Sequence, residues 1–166
     1  MDTDDTRTLM ISWQDPVLAA AGVGEDNGLE VLEAVLRGEY PVPPMMALMG
    51  IRGVEVERGR VVIAVDPSEQ HANHGGYVAH GGLAATLVDS AAWLALHSTM
   101  PPNSGCVTSQ MSVNYLRPLR IGSGDIYAEG RVLQRGRRTG TAEASVTDGE
   151  GRVYARGVIS CVTVGL

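Results

Sequence analysis

Residues 80–96, His80-Gly81-Gly82-Leu83-Ala84-Ala85-Thr86-Leu87-Val88-Asp89-Ser90-Ala91-Ala92-Trp93-Leu94-Ala95-Leu96, open on a glycine pair and then run almost wholly apolar around one charge. A helix that is hydrophobic on every side is a buried helix. A lone carboxylate on such a helix is costly unless a partner or a function compensates. Asp89 is therefore either paired in the core or placed there for chemistry, and the rest of the chain favours chemistry. Because Asp89 interrupts the longest apolar run, no stretch reaches the ~18 residues of a membrane-spanning helix. With 4% aromatic residues and no Phe, the core must be built from Val, Leu, Ala, Ile and Met.

The elements around this helix define its wrapping. Residues 1–27 read as a loose acidic leader without the basic start of a secretory signal, so a cytoplasmic chain is expected. Leu29, Val31, Leu32, Ala34, Val35 and Leu36 give a short amphipathic helix that ends near Arg37-Gly38. Tyr40-Pro41-Val42-Pro43-Pro44 forces an extended connection, and Met45–Met49 can form one helical turn. The chain divides into an N-terminal leader with a short helix (1–44) and a main domain (45–166).

A hairpin follows, with strands over Ile51–Glu57 and Val61–Asp66 joined at Arg58-Gly59-Arg60. Past the helix, Val107, Met111, Val113 and Tyr115 alternate with Thr108, Gln110, Ser112 and Asn114, a period-two pattern with one apolar face. Further strands are expected over Ile126–Leu133, Thr139–Val146 and Val153–Val164, the last two joined by the turn Asp148-Gly149-Glu150-Gly151. These four read as a consecutive meander. The class is α+β: one long central helix wrapped by a curled antiparallel sheet, the hotdog arrangement, with an N-terminal helical extension.

Asn73, the run His80-Gly81-Gly82-x-x-Ala85-Thr86-Leu87-x-Asp89-Ser90-Ala91 and the later Val113-Asn114-Tyr115-Leu116-Arg117-Pro118 together resemble the hotdog acyl-CoA thioesterases of the phenylacetate-pathway (PaaI) type, over roughly residues 45–164. That resemblance implies hydrolysis of acyl-CoA to a free acid and CoA. It implies that Gly81 offers a backbone N–H to the thioester carbonyl and that Asp89 is the catalytic carboxylate. Thr108 stands where relatives carry a hydroxyl that positions the nucleophile, and Asn73 is the candidate for an Asn that precedes the His-Gly-Gly. Gly76-Tyr77-Val78-Ala79-His80 is one residue longer than the usual spacing, which leaves His71 and His74 open as occupants of that place.

Physical chemistry runs parallel to the resemblance. The first N–H groups of a helix are unpaired and sit at the positive end of its dipole, and a glycine there admits a ligand close to the backbone. Gly81 can thus serve as an oxyanion site or simply turn the chain into the helix. Asp89 lies eight residues on, roughly 12 Å along the axis at 1.5 Å per residue, so the two groups of one chain cannot reach one thioester carbon. Two helices packed antiparallel about a twofold would bring them together, which predicts a homodimer with shared sites, a dimer of dimers also being open. Asp89 can act as base on water or as nucleophile. His80 can orient the site, contact substrate or simply hydrogen-bond near the helix start.

No metal is expected, since His71, His74 and His80 in a glycine-rich loop have no fixed ligand geometry and no nearby carboxylate. Ser90 lacks the elbow of a serine nucleophile. Cys106 and Cys161, in apolar strand-like runs, read as small buried residues in a reducing compartment.

Residues 1–66 hold five Arg against twelve acids and residues 106–166 hold eight Arg against five acids, with no Lys anywhere. The net charge of −6 argues against nucleic acid as a partner. The local excess, Arg117 and Arg120 at one strand end and Arg135, Arg137 and Arg138 at a turn, suits either the phosphates of CoA or a solvated basic surface.

The leading expectation is a thioesterase acting on an aryl or medium-chain acyl-CoA without metal or organic cofactor. A hotdog hydratase or dehydratase on acyl thioesters and a non-catalytic acyl-CoA-binding protein are the alternatives.

Overall fold

The computed structural model describes residues 6–17 and 25–165 of the 166-residue chain. The expected leader over 1–27 lies in part outside the described residues, at 1–5 and 18–24. Helix α1 (Gly28–Leu36) starts at Asn27, whose side chain accepts from the N–H groups of Leu29 and Glu30 while Glu30 accepts from the Asn27 N–H at 2.8 Å. This reciprocal cap fixes a nine-residue helix too short to persist alone. Its start is welded to the core, because the Gly28 N–H donates to the Met100 carbonyl at 3.0 Å. Proline 44 opens the one-turn helix α2 (Pro44–Leu48).

Strands β1 (Arg52–Glu57) and β2 (Arg60–Val65) form the expected hairpin, and a single 3-10 turn spans Glu69–His71. The long apolar segment becomes α3 (Gly81–His97), followed by β3 (Ser104–Tyr115), β4 (Ile126–Arg135), β5 (Thr139–Asp148) and β6 (Val153–Gly165). All six strands form one antiparallel sheet in the order β1-β2-β4-β5-β6-β3.

The expected four-strand meander is corrected here. Only β4, β5 and β6 run consecutively, and β3 crosses to pair with β6 at the far edge. The order follows from connection length. Tight turns hold β4 to β5 and β5 to β6, whereas the chain between Tyr115 and Ile126 is long enough to cross the sheet and set β4 against β2. Adjacent strand pairing is the default only where the turn is short.

The concave face of the sheet carries small side chains: Ala128 and Gly130 on β4, Gly140, Ala142 and Ala144 on β5, Ala155 and Gly157 on β6. These let α3 settle onto the sheet. A Cβ placed on Gly130 would lie 2.0 Å from the Ala91 carbonyl oxygen, and one on Gly157 would lie 2.7 Å from Val88. Leu83, Leu87, Val88, Ala91 and Leu96 of α3 pack against Ile63, Ile126, Val146 and Ile159, a core of the residue types the composition requires.

α3 is covered on most sides, as its composition predicts, but not on all. Gly82, Ala85, Thr86, Asp89, Ser90, Trp93 and His97 are only half-buried, and Gly81 is exposed. Their three- and four-residue spacing places them on one stripe that the chain's own sheet leaves uncovered.

Candidate active site

The site is assembled at the start and middle of α3. His80 is the N-cap, with extended backbone (φ −58°, ψ 140°), and its Nδ1 accepts from the Gly82 N–H at 2.9 Å. The Leu83 N–H reaches the His80 carbonyl at 3.0 Å. The Gly81 N–H is left without an acceptor among the described residues. It is a first-turn donor that the cap does not occupy, and it sits where the helix dipole is most positive. Gly82 is needed for this cap, since a Cβ there would lie 2.8 Å from the His80 Nδ1.

A cavity of about 340 Å³ opens at this helix start, lined by Val78, His80, Gly81, Tyr115, Arg117 and Leu119 among others. Tyr115 stands over Gly81, its ring carbon 3.6 Å from where a Cβ would be. No period-two reading of β3 signals that contact, which depends on strand register.

Asp89 sits two turns further along the same stripe. Its Oδ1 accepts from the Thr108 hydroxyl at 3.0 Å, and its Oδ2 accepts from nothing among the described residues. The single Thr108 hydrogen is committed to Asp89, so the Cys161 thiol, 3.8 Å away, donates to the Thr108 oxygen. Burial, together with the neighbouring Asp89 charge, holds the Cys161 thiol above its ordinary value. A β-bulge between Thr108 and Gln110 interrupts the pairing of β3 with β6 beside this threonine, the kind of device that re-aims a side chain. The result is a carboxylate with no cation paired to it among the described residues, one oxygen fixed and the other open to water or an acyl carbon.

Not every expected site residue joins this centre. Asn73 closes its own loop: its N–H donates to the Val78 carbonyl, its carbonyl accepts from Gly76, and its side-chain oxygen accepts from the His74 N–H. His71 is buried, with Nδ1 accepting from the Ser68 N–H and Nε2 donating to the Met49 carbonyl, each at 3.1 Å. Both ring nitrogens are thereby used in tying the loop to the end of α2. His74 is exposed. Among the described residues, no group of three or more His, Cys, Asp or Glu side chains is placed to hold a metal.

The arginines separate into two groups. Arg117 lines the cavity at the start of α3 while donating to the Val153 carbonyl, and Arg120 bridges to Val78 beside it. Arg135, Arg137 and Arg138 lie at the other end, where the Arg135 guanidinium meets the Met100 sulfur just past the end of α3. Cys106 and Cys161 are buried free thiols, and burial pushes the Cys106 thiol up to about 12.

The pattern of the thioesterase superfamily matches residues 76–155, from the loop before α3 into β6. Human acyl-coenzyme A thioesterase 13 is 32% identical over 105 residues, which cover 63% of this chain and 73% of that protein. The chain belongs to the thioesterase superfamily. As a member of it, the protein is a thioester hydrolase.

Among solved structures, the E. coli PaaI protein superposes with a TM-score of 0.67 at 22% identity over 74% of this chain and 86% of that one, a likeness of fold that establishes the hotdog architecture. A Streptococcus mutans protein solved bound to acetyl-CoA superposes with a TM-score of 0.63 at 29% identity over 69% of this chain and 89% of that one. No helix among the described residues of this thioesterase-superfamily chain is long and apolar enough to cross a membrane.

Proposed function

We propose that the protein hydrolyses an aryl or medium-chain acyl-CoA to the free acid and CoA at sites shared between two protomers, with no metal or organic cofactor. The observation that carries this reading is the pair formed by an unsatisfied Gly81 N–H and a cation-free Asp89 carboxylate on one uncovered stripe of α3. Within one chain the two are about 12 Å apart along the axis. A twofold that packs α3 against its antiparallel copy sets Asp89 opposite Gly81 of the partner subunit.

In that arrangement the Gly81 N–H donates to the thioester oxygen as negative charge grows on it. A donor so placed contributes about 2.7–4 kcal/mol to lowering the barrier. Asp89 either takes a proton from water, whose oxygen then bonds to the acyl carbon, or attacks that carbon itself to give an anhydride that water opens. By either route the carbon–sulfur bond breaks and CoA leaves as the thiolate. Thr108 fixes which carboxylate oxygen faces the carbon, and His80 keeps the helix start open by occupying the neighbouring donor. His71, committed to Ser68 and Met49, is left out of the chemistry, and Asn73 serves as a loop closure beside the site.

The arginines fit the CoA phosphates in the same dimer. Arg117 and Arg120 flank the Gly81 cavity. The turn carrying Arg135, Arg137 and Arg138 lies beyond His97, roughly 24 Å along α3 from its own Gly81 but roughly 12 Å from its own Asp89. That turn therefore serves the site to which its own Asp89 contributes. Two buried free thiols suit a reducing, cytoplasmic setting.

The test is release of free thiol from a panel of aryl and aliphatic acyl-CoAs by the wild type and by Asp89→Asn. The substitution is expected to lower kcat/KM by about 10²–10⁴-fold while the thermal midpoint holds. Retained turnover in a folded Asp89→Asn protein removes the carboxylate's role. Interconversion of an enoyl thioester without thiol release identifies a hydratase instead, and tight acyl-CoA binding without turnover identifies a binding protein.

A further inference from the structure

An apolar chamber of about 450 Å³ lies on the far side of Trp93 from the start of α3. Val31, Leu32 and Val35 of α1 form one wall, the Pro41–Pro44 connection another, and Ile51, Val56 and Ile63 of the first hairpin a third. Trp93 and His97 of α3 complete it. Those two rings are stacked, 4.8 Å between centroids and 8° from parallel, and the indole N–H is tied to the Cys106 carbonyl at 2.8 Å. The stack is thereby a fixed flat wall.

Two observations connect the chamber to the chemistry. Trp93 follows Asp89 by one helical turn on the same uncovered stripe, about 6 Å along the axis, so a group leaving the carboxylate along that stripe arrives at the indole. Apart from α3, moreover, the chamber's walls come from residues 14–63, which precede the segment 76–155 shared with the superfamily. The shared segment holds the candidate chemistry, and the preceding part of this chain builds the cavity beside it.

The chemistry of the walls names the occupant. The ionisable groups on the lining present no free charge: Tyr40 donates to Asp26, the Arg52 guanidinium pairs with Asp125, and burial favours the neutral form of His97, whose Nδ1 is covered and has no partner among the described residues. None of them offers a counter-charge to a ligand. Beyond these and the neutral amide of Gln14, the lining side chains are aliphatic or aromatic carbon, in a volume typical of small-ligand pockets.

We propose that this chamber receives the acyl group of the substrate and that α1 makes the enzyme selective for uncharged hydrocarbon chains of medium length over acetyl groups and over chains ending in a carboxylate. The proposal rests on the acyl-CoA reading above and specifies its substrate class.

The experiment measures kcat/KM across straight-chain acyl-CoAs from acetyl to decanoyl, for the wild type, Val35→Trp and Val31→Phe. Both substitutions add bulk at half-buried lining positions of α1. Buried methylenes should raise kcat/KM about fourfold each until the chamber is full. Each substitution should shrink the decanoyl-to-acetyl ratio by tenfold or more. A ratio near one in the wild type, or one unmoved by both substitutions, overturns the proposal even if all substrates are hydrolysed.

The same ratio is read as affinity by calorimetry on Asp89→Asn with decanoyl-CoA and acetyl-CoA. If the wild type releases no thiol from any acyl-CoA, the acyl-CoA hydrolase reading fails, and the calorimetric ratio still decides the chamber.

Discussion

Gly81 offers an unusually clean test of a backbone donor, because the atom in question can be deleted without breaking the helix. It is the first residue of α3, where proline is well tolerated, and His80 before it already has the extended backbone that a following proline prefers. The nearest atom to a new Cβ is a Tyr115 ring carbon at an ordinary 3.6 Å. Gly81→Pro is therefore expected to lower kcat about 10²–10³-fold through loss of the N–H. Gly81→Ala, which keeps that N–H, should lose far less. Equal losses from the two substitutions, measured in the same thiol-release assay, would assign the effect to crowding against Tyr115.

The candidate site was legible in the sequence as far as residue type and spacing reach. Asp89 as the odd charge on an apolar helix, and the glycine pair at its head, stand out from residue type and spacing alone. The hydrogen bond from Thr108 followed only from the resemblance, because it depends on a bulge in β3 that no periodicity reveals. Asn73 and His71 were not legible in this way, since a polar residue in a glycine-rich loop looks the same whether it closes the loop or faces a substrate.

At the scale of elements, α3 and the sheet are held at short range by glycine and alanine. Gly130→Ala places a carbon inside the Ala91 carbonyl and can be relieved only by lifting α3 from β4. Overpacking of this kind costs about 1–3 kcal/mol or more. At roughly 2–4 °C per kcal/mol for a chain of this size, a fall of several degrees in the thermal midpoint is expected. An unchanged midpoint would show that the helix does not sit where described.

The β5–β6 turn supplies a second element-scale prediction. Burial alone would raise the Asp148 carboxyl. It is instead held down at about 2, because the Arg152 side chain and N–H, the Tyr154 hydroxyl and the Glu150 N–H all donate to it. A lowered folded value means the ionised form stabilises the fold above about pH 4, and the contribution fades as pH falls toward about 2. The gap in thermal midpoint between the wild type and Asp148→Asn should therefore be full at neutral pH and narrow over that acid interval. A gap constant down to pH 2 would contradict the ionic origin.

Secondary structure was the most legible level, because α3 is one long apolar run between a glycine pair and a proline pair, and the strands are bounded by turn residues. Strand order was not. β3 and β4 are neighbours in sequence and strangers in the sheet, because the long chain between Tyr115 and Ile126 crosses the sheet and sets β4 against β2.

The whole molecule leaves two surfaces uncovered that one operation can cover together. One is the stripe of α3 that carries Gly81, Asp89 and Trp93. The other is the β3 edge, a twelve-residue strand with Val107, Met111 and Tyr115 exposed. Long, apolar sheet edges of this kind invite pairing with another strand, and the proposed twofold would pair β3 with its copy and bring the two α3 stripes side by side. Sharing is thus the central claim: neither protomer holds both halves of a site.

It is tested most directly by mixing two inactive proteins, Asp89→Asn and Gly81→Pro, under conditions that exchange subunits. In each mixed dimer one site then combines an intact Gly81 with an intact Asp89 and the other is doubly damaged. Random exchange at equal amounts makes half the dimers mixed, so specific activity should rise to about one quarter of the wild type. Activity that stays at the level of the separate variants, despite demonstrated exchange, would place both groups of each site in one chain and contradict the account.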